Sequence, residues 1–180
     1  MMQWQRSLAR VLAVVLALGF FPFARVGTVA AATATNFTPA TVSSLPATVT
    51  ITTSGVAANT TTAGMTLVFP STLSISNLAC TGIFQNASPV LGPVLAGPNP
   101  GTSQQSLGCA FTGGATVSGT SGNVMSFQVS GSGSGTVSLL TTGPNASQFV
   151  HADLTTEGLG TPGTLGVGGP AAGDQPAAGD

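Results

Sequence analysis

The chain of 180 residues holds three Lys and Arg, four Asp and Glu and a single His, giving a net charge of −1, with 4% charged and 42% hydrophobic residues. Neutralising the phosphates of a nucleic acid, or attracting anionic lipid head groups, takes a cluster of basic side chains. This composition has none to offer, so both partner classes are excluded.

The N-terminus has the order of an export signal: Arg6 and Arg10, an apolar run from Val11 to Phe23, then the small residues Ala30, Ala31 and Ala32. The run falls short of the roughly 20 residues that a membrane-spanning helix needs. Cleavage after Ala32 is therefore favoured over an uncleaved anchor, and residues 1–32 are set apart from the fold. Arg6, Arg10, Arg25 and Trp4 all lie in that segment. The mature chain after it has no Lys, Arg, Trp or Tyr, so solubility rests on Ser, Thr, Asn and Gln, and trypsin has no site to cut.

Residues 33–161 form one candidate domain, large enough for a single core. Its hydrophobic pattern has period two. Val49 and Ile51 alternate with Thr48, Thr50 and Thr52. Met65, Leu67 and Phe69 come next, then Leu73 and Ile75 after Pro70. Leu107, Cys109 and Phe111 share one parity, as do Met125, Phe127 and Val129, then Val137 and Leu139, then Phe149 and His151. Such alternation turns one face of each strand to the core and the other to solvent. Breakers separate the runs: Ser54-Gly55, Ala63-Gly64, Gly113-Gly114, Ser130 to Gly135 and Gly143-Pro144-Asn145. No amphipathic helical stretch occurs after residue 32. The pattern predicts an all-β, two-sheet antiparallel sandwich of six to nine strands.

Cys80 and Cys109 are the two cysteines, and in an exported chain an even count reads as a disulfide rather than as two free thiols. Both share parity with inward residues. Between them Thr81–Ser106, with Pro89, Pro93, Pro98 and Pro100, reads as a long irregular excursion. Such a loop is either functional or an insertion clamped by the bridge. Residues 162–180, rich in Gly, Pro and Ala with Pro170-Ala-Ala-Gly-Asp repeated from Pro176, read as a flexible linker or tail.

Little in the chain can do chemistry. His151 and Asp153, two apart, would share a strand face, and a Ser-His-Asp arrangement can be drawn. Ser is too abundant here for proximity to mean anything, and no Gly-x-Ser-x-Gly stands on a strand–helix turn. An enzyme is not expected. Asp153 and Glu157 with backbone carbonyls give a weak calcium possibility, without EF-hand spacing; no other cofactor is indicated. Of the six Phe after the leader, Phe69, Phe111, Phe127 and Phe149 fall in inward rows. Phe37 and Phe84 remain as candidates for exposure, which makes Phe84 and Asn86 the candidate ligand-contact loop and argues against an aromatic sugar platform. Asn36, Asn59, Asn86 and Asn145 head Asn-x-Ser/Thr sequons, attachment points only in a host with the machinery.

Three stretches resemble cohesin-type domains. In Met65 to Ile75 a hydrophobic strand runs into Pro70 and then Leu73; Cys80-Thr-Gly-Ile-Phe84 supplies a glycine-containing step; Gly119 to Val129 is a glycine turn leading into a strand with Phe127. The resemblance covers about residues 38–158. Phe69 stands where cohesins commonly carry an Asp, the cysteine pair is not a hallmark of the family, and Asn36 to Val42 is more similar to Ig-like surface repeats of bacteria. The cohesin resemblance implies the sandwich shared with certain carbohydrate-binding modules, and docking of a partner. The expectation is a non-catalytic secreted or cell-surface module for adhesion or assembly, binding an extracellular protein or a polysaccharide. The alternative is a self-associating subunit of a filament or surface layer.

Overall fold

A computed structural model describes residues 32–168. The export segment expected over 1–32, apart from Ala32, and the last part of the expected linker lie outside the described residues.

The alternating runs form strands as their pattern dictates. In order they are β1 (Ala32–Thr38), β2 (Thr41–Val42), β3 (Ala47–Ser54), β4 (Thr60–Pro70), β5 (Leu73–Cys80), β6 (Ser88–Ala96), β7 (Thr102–Ala110), β8 (Ser121–Gly131), β9 (Gly135–Leu139), β10 (Gln148–His151), β11 (Thr156–Pro162) and β12 (Leu165–Val167). A 3-10 turn, Gly82–Phe84, separates β5 from β6.

One sheet runs β5-β8-β3-β1 and the other runs β6-β7-β4, with β9 and β10 sharing the far edge of β4. Between those two, Ser147 Oγ accepts the Thr66 N–H at 2.9 Å and Leu140 N–H reaches the Thr66 carbonyl at 2.8 Å, so the gap in the ladder is filled. The sheets are continuous along one side, because β11 pairs antiparallel with β10 and parallel with β1. A second parallel pair joins β12 to β2. The expected all-β sandwich is therefore present, but with twelve strands among the described residues rather than six to nine, and with two parallel contacts in an otherwise antiparallel fold.

Val49, Ile51, Met65, Leu67, Phe69, Met125, Phe127, Val129, Val137 and Phe149 are all fully buried between the sheets. Phe37 packs edge-on against Phe127 with centroids 6.5 Å apart. Phe84 stacks on both Phe111 and Phe149 at 5.5 and 6.3 Å. Stacked and edge-on pairs of this kind add to the area they bury.

Three sequence expectations are corrected. Thr81–Ser106 is not an irregular excursion: most of it is the β6–β7 hairpin, paired from Ser88↔Ala110 to Ala96↔Ser103 with a bulge between Leu91 and Val94. Ala63-Gly64 is not a turn but lies inside β4, where Gly64 faces Gly108 and Gln148 on the neighbouring strands. Residues 162–168, expected in the tail, belong to the sandwich, because β12 carries Leu165 and Val167 into the core, where they are 0% and 3% exposed.

Candidate functional site

Cys80 ends β5, an edge strand of the first sheet, and Cys109 sits in β7 of the second. They form a disulfide with Cα atoms 5.7 Å apart, closing the sandwich where β5 faces the β6–β7 hairpin. The residues assigned to a contact loop separate. The 3-10 turn folds the Phe84 ring inward against Phe111 and Phe149, leaving it 0% exposed, so this ring does not meet a ligand at the surface. Asn86 is exposed and takes a left-handed φ of 77°, which Asn tolerates better than most residues. Phe37 is buried as well, at 3%. No aromatic platform is formed by Phe37, Phe69, Phe84, Phe127 or Phe149.

The ionisable groups of the described residues lie on one hairpin, β10–β11, in a different arrangement from the one expected. Asp153 does not share a face with His151. It occupies the exposed turn, where its Oδ1 accepts the Thr155 hydroxyl at 2.6 Å and the Thr155 N–H at 3.1 Å. These bonds hold the Asp153 carboxyl below its ordinary range. Glu157 takes the place next to His151: the turn brings β11 back, and Oε2 comes 3.5 Å from His151 Nε2 with both side chains 1% exposed. Burial pushes the Glu157 carboxyl above its ordinary value, opposed by the Ala57 N–H that Oε2 accepts at 3.2 Å.

Thr60 completes the cluster. Its hydroxyl donates to the Ala57 carbonyl at 2.7 Å and lies 2.9 Å from His151 Nδ1. A hydroxyl has one proton. The Ala57 carbonyl also accepts the Thr60 N–H at 3.1 Å, so the hydroxyl has its one proton to place between that carbonyl and His151 Nδ1. Thr60 is also 0% exposed and out of reach of an external substrate. The structure does not bring Asp153 and Glu157 together: the first faces solvent and the second faces His151. Among the described residues no three His, Cys, Asp or Glu side chains gather into a metal-holding group.

The other unusual surface is β6. Among the described residues five large apolar side chains are exposed, and four of them, Val90 (47%), Leu91 (41%), Val94 (55%) and Leu95 (51%), are on this strand; the fifth, Leu154, is at the β10–β11 turn. Among the described residues β6 pairs only with β7. Register with β7 puts Val90 opposite Gly108 and Leu95 opposite Gln104, on the outer face of the sheet. Gln105, buried at 5%, donates from Nε2 to the Gly92 carbonyl at 2.8 Å and fixes the bulge between the two apolar pairs. Pro89 and Pro93 remove two N–H donors from this edge strand, a device that discourages further strands from adding to it. Sequence reasoning missed β6 as a surface; the repeated Pro-Val-Leu at Pro89 and Pro93 was the available clue.

An open, two-sheet sandwich of this strand order defines a cohesin-like fold. Among solved structures, CaCohA2 from Clostridium acetobutylicum is similar at a TM-score of 0.52 with 13% identity, over 79% of this chain and 96% of that one. The sixth cohesin of scaffoldin B from Acetivibrio cellulolyticus, solved in complex with a Cel5 dockerin, is similar at 0.50 with 16% identity, over 77% and 98% of the two chains. A type II cohesin–X-dockerin complex from the same organism is similar at 0.51 with 12% identity, over 74% and 97%. No protein-family model matches the chain. No curated protein matches it in sequence.

Proposed function

We propose that this chain is a non-catalytic, exported module that docks a protein partner through the outer face of β6-β7-β4, with Val90 and Leu95 as its apolar anchors. The observation that carries this reading is the concentration of exposed apolar side chains on one edge strand of an otherwise Ser-, Thr- and Asn-covered domain. Contiguous exposed apolar surface rimmed by polar residues is typical of protein-binding faces. Two of the similar structures are cohesins in complex with dockerins, which supports a protein as the partner. A polysaccharide partner is less well supported, because the Phe rings that could stack on sugars are buried. Self-pairing along β6 is opposed by Pro89 and Pro93.

The test is calorimetric titration of the domain with a panel of dockerin modules, run in parallel with the Val90→Ser/Leu95→Ser variant and with Thr50→Ala, which alters the opposite sheet. Binding by the parent and by Thr50→Ala, weakened at least tenfold in the β6 variant, is the expected result. Binding left intact in the β6 variant moves the docking face elsewhere. Absence of dockerin binding together with retention on insoluble polysaccharide replaces the protein-partner reading.

A further inference from the structure

We propose that the cleft between the outer edge of β5 and the underside of β6 is a second binding site, which takes an extended, uncharged strand donated by another protein. The register of β6 on β7 carries this. Directly paired residues on adjacent strands share a face. Leu91 pairs with Leu107 and Val94 with Gln105, and Leu107 and Gln105 point inward at 1% and 5% exposure. Leu91 and Val94 therefore point inward as well, yet they remain 41% and 55% exposed. Strand β6 extends past β5, the last strand beneath it, so the lower sheet is one strand narrower on this side.

The cleft is fixed at both ends. Strand β5 follows β4 through the turn at Ser71 and Thr72, and β7 is antiparallel to β4, so β5 and β7 run in the same direction. The Ser71 N–H donates to the Gly101 carbonyl at 2.9 Å where the two strands begin, and the disulfide joins Cys80 to Cys109 where they end.

The lining sets the chemistry of the occupant. Among the described residues β5 pairs only with β8, and its regular part, Leu73–Ser76 before the bulge, presents unpaired backbone groups along the outer edge. An added strand satisfies such groups. No proline guards β5, in contrast to Pro89 and Pro93 on β6. Strands β5, β6 and β7 hold no Asp, Glu, Lys, Arg or His, so a charge brought into the cleft would be buried without a partner, and a neutral segment is required. The Gln105 amide donates from Nε2 to the Gly92 carbonyl of the β6 bulge, whereas its Oε1 is buried without a hydrogen-bond partner. A donor on the incoming strand satisfies it, while apolar residues alternating along that strand cover Leu91 and Val94. A second copy is a poorer donor: pairing β5 to β5 edge to edge would bring its own β7, tied to β5 by the disulfide, into the space of the first copy's β6. The site is separate from the outer face that holds Val90 and Leu95 and does not depend on the docking proposed there.

Amide and methyl NMR of the full chain, disulfide intact, with a panel of capped synthetic peptides in which Thr alternates with Val, Leu or Ile, tests this. The expected result is binding by at least one peptide, with new exchange protection in Leu73–Ser76 and shifts of the Leu91 and Val94 methyls. Leu91→Ser/Val94→Ser should weaken that binding about tenfold or more, whereas Val90→Ser/Leu95→Ser should keep it, so that failure of this site and failure of the outer face are read separately. If the first variant does not fold, the same peptide methylated on its backbone nitrogens decides, since it keeps its side chains but loses the donors of an added strand and should not bind. Absence of binding across the panel, protection confined to β6, binding kept by Leu91→Ser/Val94→Ser or by the methylated peptide, or dimerisation of the chain through Leu91 and Val94 overturns the proposal.

Discussion

Cys80 and Cys109 join an edge strand of one sheet to an inner strand of the other, with their Cα atoms 5.7 Å apart and a sequence separation of 29. That span contains the 3-10 turn with Phe84 and the whole of β6. Without the bridge, this part of the sandwich would depend on the packing between the β5 edge and the β6–β7 hairpin, where the β6 side chains remain about half exposed.

Replacing both cysteines with Ala should therefore lower stability substantially. Closing a loop of this length contributes about 3–4 kcal/mol in the chain-entropy model, equivalent to about 10 °C or more in melting temperature for a domain of this size. Thermal unfolding of the double variant and of the reduced parent should agree. A shift under about 3 °C in both would mean that the hairpin holds itself in place.

The boundary of the domain makes a second prediction. A chain that ends at Thr161 lacks β12, and with it Leu165 and Val167, which are 0% and 3% exposed. Burying two such side chains is worth about 3–5 kcal/mol, a large part of the 5–15 kcal/mol typical of a whole domain. The loss also leaves β9 paired on one side only, to β4. The shortened chain should be markedly less stable or unfolded by circular dichroism, whereas one that ends at Gly168 should match the full chain.

A third prediction separates steric from conformational demands on glycine. Gly131, at the end of β8, has a φ of 121°, and a Cβ there would meet the Thr72 carbonyl oxygen. Gly113 also has a positive φ, 70°, but opens onto free space. Gly113→Ala should cost about 1 kcal/mol, the strain of the backbone alone. Gly131→Ala should cost clearly more, because β5 must move away from β8. Denaturant midpoints of the two variants check the order, and equal costs would show that the β4–β5 turn at Thr72 yields freely.

Much of this fold was legible in the residues. Val49, Ile51, Met65, Leu67, Phe69, Phe127, Val129, Val137 and Phe149 were all read inward from alternation alone, and all are buried. Alternation failed where its cause was missing. Strand β6 overhangs the sandwich and is exposed on both faces, so its side chains do not alternate, and its prolines look like breakers. Strand β12 is three residues long with glycine at its centre, too short to show a period. Phe84 comes after a chain reversal that no two-residue rhythm describes. The buried polar cluster was only half visible. His151 was singled out, but parity selected Asp153 as its partner, because parity assumes a strand that continues, and the chain turns at Ala152–Thr155 to bring Glu157 across instead.

The two parallel ladders have a mechanical consequence. Strands β1 and β2, from the beginning of the described chain, are hydrogen-bonded side by side to β11 and β12, from its end. Tension applied through the flanking segments would pull these strands lengthwise past one another. Their hydrogen bonds would be loaded together rather than opened one at a time, as in a zip. A module that holds a partner while anchored at one end would then resist force along the line of the chain far better than force that peels β6 from its edge.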